Sequence, residues 1–200
     1  MPRIAEGRPP AAPVSLEQRA RRDRIVRAAT TIGARLPIDR VQMHDVAKAS
    51  GVAIATLYRY FPSKTHLFAA VMADQVARLD AEYVGPSLDR DPADELSELL
   101  IRVGRRMLEH PVLTTSIMQS NNALTATPLG REVAGVSHGV MLRALRAAHD
   151  PEPIHLRLVR LVEQNWYGVL ISILNGHTTQ EEGEEDLRLA VRLLLTPLPR

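Results

Sequence analysis

Apolar residues recur along this chain mostly three and four apart, the period of one helix face, and seldom in the strict alternation of a half-buried strand. Leu16, Ile25, Val26, Ala29 and Ile32 form a first stripe, opened by Ser15 as N-cap with Gln18 placed as in a capping box and stopped by Pro37. A short helix is expected from Gln42, a turn at Ser50-Gly51-Val52, and a second short helix from Ala53 to Tyr60. Pro62-Ser63 breaks the pattern, and Ser63 caps a fourth helix through Leu67, Val71, Val76 and Leu79 to Tyr83. Asp91-Pro92 starts a fifth that runs to His110-Pro111, followed by Val112–Ser120, a loop over Asn121–Thr127, and a helix from Thr127-Pro128 to Ala148. Ile154–Leu174 and Glu184–Leu195 complete an all-α chain of about nine helices.

Two features of residues 41–64, VQMHDVAKASGVAIATLYRYFPSK, carry more than periodicity. Ala47 is small enough to let two helices cross closely, and Gly51 can take a positive φ that a Cβ would penalise. Leu57 and Phe61, four apart, share one face of the second helix. This is the outline of a helix-turn-helix, in which the second helix is offered to a DNA major groove.

The run Val46-Ala47-x3-Gly51-Val52, then Thr56-Leu57-Tyr58-x-Tyr60-Phe61 and Lys64, resembles the TetR family of bacterial transcriptional regulators. The resemblance implies an N-terminal helix-turn-helix domain over residues 16–62 and a helical effector-binding and dimerisation domain over residues 63–200. It also implies that Ile54, Ala55 and Tyr58 lie over base edges, and that Thr56, Arg59, Tyr60 and Lys64 reach phosphates with Met43 close by. His44 falls at a position that often reaches base edges, although a solvated histidine fits as well. Gln42 stands where relatives usually have Thr, a poorer cap that costs ~1 kcal/mol. Ala55 replaces a frequent Gly. With Ile54 it can offer only apolar contact, suited to thymine methyls.

Charge agrees with a nucleic-acid partner at one end. Through residue 64 there are 12 Lys/Arg against 5 Asp/Glu; afterwards 13 face 18, although the net charge is only +2. Residues 1–15 hold four prolines and no periodicity and read as a disordered arm. The chain has no cysteine, so disulfides and zinc-thiolate sites are excluded. No apolar run has the length of a membrane span, no signal core opens the chain, and a cytoplasmic location is expected.

Catalytic signatures are missing. The seven histidines are scattered without HExxH, and there is no GxSxG elbow, P-loop or Rossmann fingerprint, so no enzyme activity, metal or cofactor is expected. Met107, Leu113, Ile117, Met118, Met141, Trp166 and Leu170 are large or flexible apolar groups suited to surrounding an effector, and Asn122, His138 and Asn165 are suited to orienting it. Ordinary core packing is the simpler role for any one of the apolar residues. From Trp166 onward apolar residues cover nearly every side of the penultimate helix, more than one core face needs. That surplus, shared by the last helix, points to a homodimer through the two C-terminal helices. The segments EHPVLTTSIMQS and LRLAVRLLL are also similar to actinobacterial cholesterol-catabolism repressors within the family, which implies a bulky, mainly apolar effector. The competing reading is a helical lipid carrier or enzyme using a C-terminal cavity; a third is a DNA-compacting protein without sequence preference.

Overall fold

The computed structural model describes residues 13–196, and among these the regular structure is nine α-helices and no strand. They are α1 (Leu16–Gly33), α2 (Met43–Ser50), α3 (Ile54–Tyr60), α4 (Lys64–Glu82), α5 (Pro92–Leu108), α6 (Pro111–Ala123), α7 (Pro128–Ala144), α8 (Pro153–Leu174) and α9 (Gln180–Leu195). The arm expected over residues 1–15 lies, through residue 12, outside the described residues. None of the described helices is long and apolar enough to cross a membrane.

Local chemistry explains most boundaries. The Ser15 hydroxyl accepts the Gln18 N–H at 3.2 Å, while the Gln18 side chain accepts the N–H of Val14 rather than of Ser15. Gln42 caps α2 without any side-chain bond, as its chemistry suggested. Ser63 accepts the His66 N–H at 3.3 Å, and Asp91 that of Ala93 at 2.8 Å.

Four expectations need correction. Leu16 is 82% exposed and stands outside the core stripe, on a side of the first turn of α1 that no described residue covers. The expected loop at Asn121 begins only after Ala123, since α6 runs one turn further. Helix α7 ends at Ala144 instead of Ala148: Arg146 adopts a left-handed φ of 58°, and the Ala147 N–H turns back to the Leu142 carbonyl at 2.9 Å. Helix α9 starts four residues early at Gln180, where Thr179 and Glu182 form a full capping box.

The helices form two compact units. The first contains residues through Val76 together with His110–Val133; the second contains Ala77–Glu109 and the chain from Ala134 onward. In the first unit Ile25, Val26, Val46, Leu57, Phe61, Leu67, Phe68, Leu113 and Ile117 are buried. Gly33 allows α1 to approach closely: a Cβ there would stand 2.5 Å from Phe68 Cε1 and 3.0 Å from Leu113 Cδ1. Replacing Gly33 by alanine is therefore expected to destabilise by about 1–3 kcal/mol, the cost of overpacking, despite alanine's better helix propensity. A thermal melt that rises or stays level contradicts this.

In the second unit α5, α7, α8 and α9 share a core that includes Leu96, Leu99, Leu100, Val140, Val159, Val162, Leu187 and Val191. Trp166 donates its indole N–H to the Leu100 carbonyl at 3.0 Å, pinning α8 to α5. An antiparallel ladder joins α5 to α9, with Arg192 on Asp94, Arg188 on Glu98 and Arg105 on Glu184. The Arg105 guanidinium grips both oxygens of Glu184 and holds its carboxyl below the usual carboxylate range.

Candidate nucleic-acid interface

Helix α2 ends because Gly51 takes φ +66°, a left-handed conformation costly for any residue with a Cβ. The Val52 N–H then bonds the Ala47 carbonyl at 3.0 Å and reverses the chain. Ser50, itself buried, donates its hydroxyl to the Val46 carbonyl at 2.7 Å, so the polar group inside this corner is satisfied. Three residues later α3 begins.

Helix α3 divides into two faces. Leu57, Tyr60 and Phe61 are buried, whereas Ile54, Ala55 and Arg59 are exposed and Thr56 and Tyr58 half-buried. Ile54 is 38% exposed, and its neighbours on this face offer a hydroxyl, a phenol and a guanidinium. On α2, Gln42, His44 and Lys48 are exposed, with the His44 Nδ1 3.8 Å from the Asp45 carboxylate.

Met43 and Tyr60 are placed differently from the expectation that they stand at a DNA-facing surface. Met43 is 6% exposed and Tyr60 2%. The reason is helical spacing: Met43 shares a face with the buried Val46 and Ala47, and Tyr60 lies three residues from Leu57. Tyr60 instead supports Arg59, whose Cζ lies 5.2 Å from the ring centroid and whose Nη2 donates to the Tyr60 hydroxyl at 3.3 Å. Lys64 is committed too, with Nζ donating to the carbonyls of Ile38 at 3.2 Å and Asp39 at 2.9 Å. Arg22 of α1 lies 5.5 Å over the Phe61 ring. A pairing 39 positions apart leaves no local signal. The side chains thus placed can contact an anionic backbone with two arginines steadied on aromatic rings, and can contact bases mainly through apolar groups.

The residues named for an effector fall in both units. Leu113, Ile117 and Met118 are buried on α6 in the first, where Asn122 is exposed. Met107, Met141 and Leu170 are buried in the second. There Trp166 and Leu170 line a narrow apolar crevice of about 20 Å³ with Gly104, Val169 and Leu187, room for about one water. His138 is occupied by Glu163, its Nε2 at 2.8 Å from that carboxylate, which also accepts the Ser137 hydroxyl. Asn165 is different: its Oδ1 is buried without a partner, as are Asn121 Oδ1 and Ser120 Oγ on α6. Nothing in the sequence around Ser120 marked it out. No group of three or more metal-ligating side chains occurs among the described residues.

Residues 25–71 match the family of bacterial regulatory proteins named for tetR, and residues 90–194 match the tetracyclin repressor-like C-terminal domain. The HTH-type transcriptional repressor KstR of Rhodococcus jostii is 31% identical over 180 residues, covering 89% of this chain and 84% of that protein. The chain belongs to the TetR family.

Further relatives agree with the TetR-family assignment. KstR of Mycolicibacterium smegmatis is 32% identical, with 89% of this chain and 88% of that protein covered. A crystal structure of a TetR transcriptional regulator from Rhodococcus sp. RHA1 superposes with a TM-score of 0.84 at 41% identity, over 92% of this chain and all of that one. Thermus thermophilus FadR, a TetR-family transcriptional repressor solved in complex with lauroyl-CoA, shares the fold alone: its TM-score is 0.59 and its identity 18%, over 90% of this chain and 96% of FadR. As a TetR-family transcriptional repressor, the chain has DNA as its target, and α2–α3 is the helix-turn-helix of this family.

Proposed function

We propose that this TetR-family repressor works as a homodimer that places one α3 helix in each half-site of a palindromic operator, and is released by a bulky apolar effector of steroid or acyl-CoA type. Residues 16–62 act as the DNA reader and residues 63–200 as the effector-binding and dimerising body. The supporting observation is the two-faced α3, with Leu57 and Phe61 inside and Ile54, Ala55 and Arg59 outside. Ile54, Ala55 and Tyr58 read base edges together with His44 of α2; Thr56, Arg59 and Gln42 contact phosphates.

The dimer rests on apolar groups that α8 and α9 leave exposed: Ile154, Leu156 and Leu161 on the first, all before Trp166 and not from it onward as expected, and Leu189 and Leu193 on the second. The effector reading rests on the unpartnered Asn165 Oδ1, which calls for a hydrogen-bond donor. It is compatible with the lauroyl-CoA complex of the FadR fold neighbour. To release DNA, the effector must bind the DNA-incompetent form more tightly than the competent one.

The test begins with a duplex selected from a random pool by the purified protein. The reading expects a palindromic winner, bound with steep salt dependence and released by lauroyl-CoA or a steroid-acid CoA thioester. Ligand binding without any selected duplex favours a carrier; DNA binding without sequence preference favours a compacting protein.

A further inference from the structure

Helix α4 is a single run of 19 residues, separated from the end of α3 by three residues. Its front, through Val76, belongs to the first compact unit, and its end from Ala77 belongs to the second. Whatever fixes that end limits the freedom of one continuous helix whose other end adjoins the DNA-reading helix.

The end is gripped by the last turn of α7. Arg143 Nη2 donates to Asp80 Oδ1 at 2.6 Å, and its Cζ lies 5.6 Å over the Tyr83 ring. Tyr83 in turn donates its hydroxyl to Glu95 of α5 at 3.4 Å, and burial with that carboxylate nearby pushes the phenol up to about 12, so it stays a donor. Arg106 of α5 adds a bond to Glu82 at 2.8 Å. Three residues beyond Arg143, Arg146 sits at φ 58°, a conformation a non-glycine residue seldom adopts without compensation. The compensation is visible: its guanidinium donates to the carbonyls of Ser87, Leu88 and Arg90 at 2.7, 3.1 and 2.6 Å, tying down the segment that follows α4.

A surface ion pair alone carries little stability. Here, however, one arginine binds both a carboxylate on the final turn of α4 and the aromatic face of the residue that follows it, and a second is held in a rare backbone conformation while it binds the next loop. We infer that Arg143, with Asp80 and Tyr83, is a latch that positions α4 for operator binding, although none of the three touches DNA. The inference rests on the reading of the chain as a DNA binder, and the latch contributes by removing freedom from α4 before DNA arrives.

The test uses full-length Asp80→Ala, Arg143→Ala and the double variant, with the duplex selected from a random pool by the wild type as probe. Affinity is measured well below each melting temperature and across a salt series. Each single variant is expected to bind three- to tenfold more weakly, the double no more weakly than either single, and all with the wild-type salt slope. The charge-exchanged D80R/R143D protein is expected to recover at least part of the loss. Single variants with wild-type affinity, additive losses in the double, or a shallower salt slope revealing direct phosphate contact overturn the latch. A wild type that selects no duplex overturns the DNA-binding reading instead, so the two failures are distinguishable.

Discussion

With Arg59 replaced by alanine, the protein is expected to bind its selected duplex on the order of 10²–10⁴-fold more weakly, because each of the two half-sites loses a charge-assisted contact worth about 1.5–3 kcal/mol. The prediction follows from how Arg59 is held. Its guanidinium is stacked on the buried Tyr60 ring and bonded to the Tyr60 hydroxyl, which leaves further N–H groups directed away from that bond. A preorganised arginine loses less entropy on meeting a phosphate than a free one. The salt slope should fall by roughly one for each phosphate that the variant no longer neutralises, or about two per dimer. Tyr60→Leu should give part of the same loss without removing any charge, so its salt slope should stay close to wild type. If the alanine variant binds as tightly as wild type across the salt series, α3 is not the reading helix.

Placing glutamate at Leu193 is expected to have the second large effect, conversion of the proposed dimer to monomers at micromolar concentration. Leu193 is 68% exposed and Leu189, one turn earlier on α9, 59% exposed. Such a pair on a helix already anchored through Leu187 and Val191 has surplus apolar surface. Around the two-fold axis of an isologous interface the same position meets its neighbourhood twice, so each substitution buries two carboxylates. Operator affinity should fall with the dimer, by a factor on the order of 10²–10⁴, since the second half-site loses its high effective concentration. Light scattering and a shift assay on the same sample check both parts. A Leu193→Glu protein that stays dimeric places the interface elsewhere.

The helix-turn-helix was legible because its determinants are local. Ala47, Gly51, Val52 and Leu57 lie within eleven positions, and each acts on the backbone next to it. The burial of Met43 and Tyr60 was legible by the same periodicity, three residues from Val46 and Leu57, yet the family resemblance drew both toward the DNA. The capping box at Thr179 and Glu182 was also present in the sequence, although the last helix was expected only from Glu184. Other features had no local signal. The premature end of α7 depends on Arg146 reaching carbonyls nearly sixty positions away. The Arg105–Glu184 pair spans 79 positions. Candidate effector residues were the least legible, because methionine, leucine and tryptophan pack a core and line a pocket with the same chemistry. Asn165 stands apart only because the structure leaves its oxygen buried without a partner.

Footprinting of the selected duplex, combined with the stoichiometry of the complex, tests the central claim most directly. The account predicts two chains per duplex and two protected major-groove patches whose centres lie about 34–36 Å apart or a multiple of that, with protection absent in the Leu193→Glu protein. One chain protecting a single patch, or uniform protection along any sequence, contradicts it.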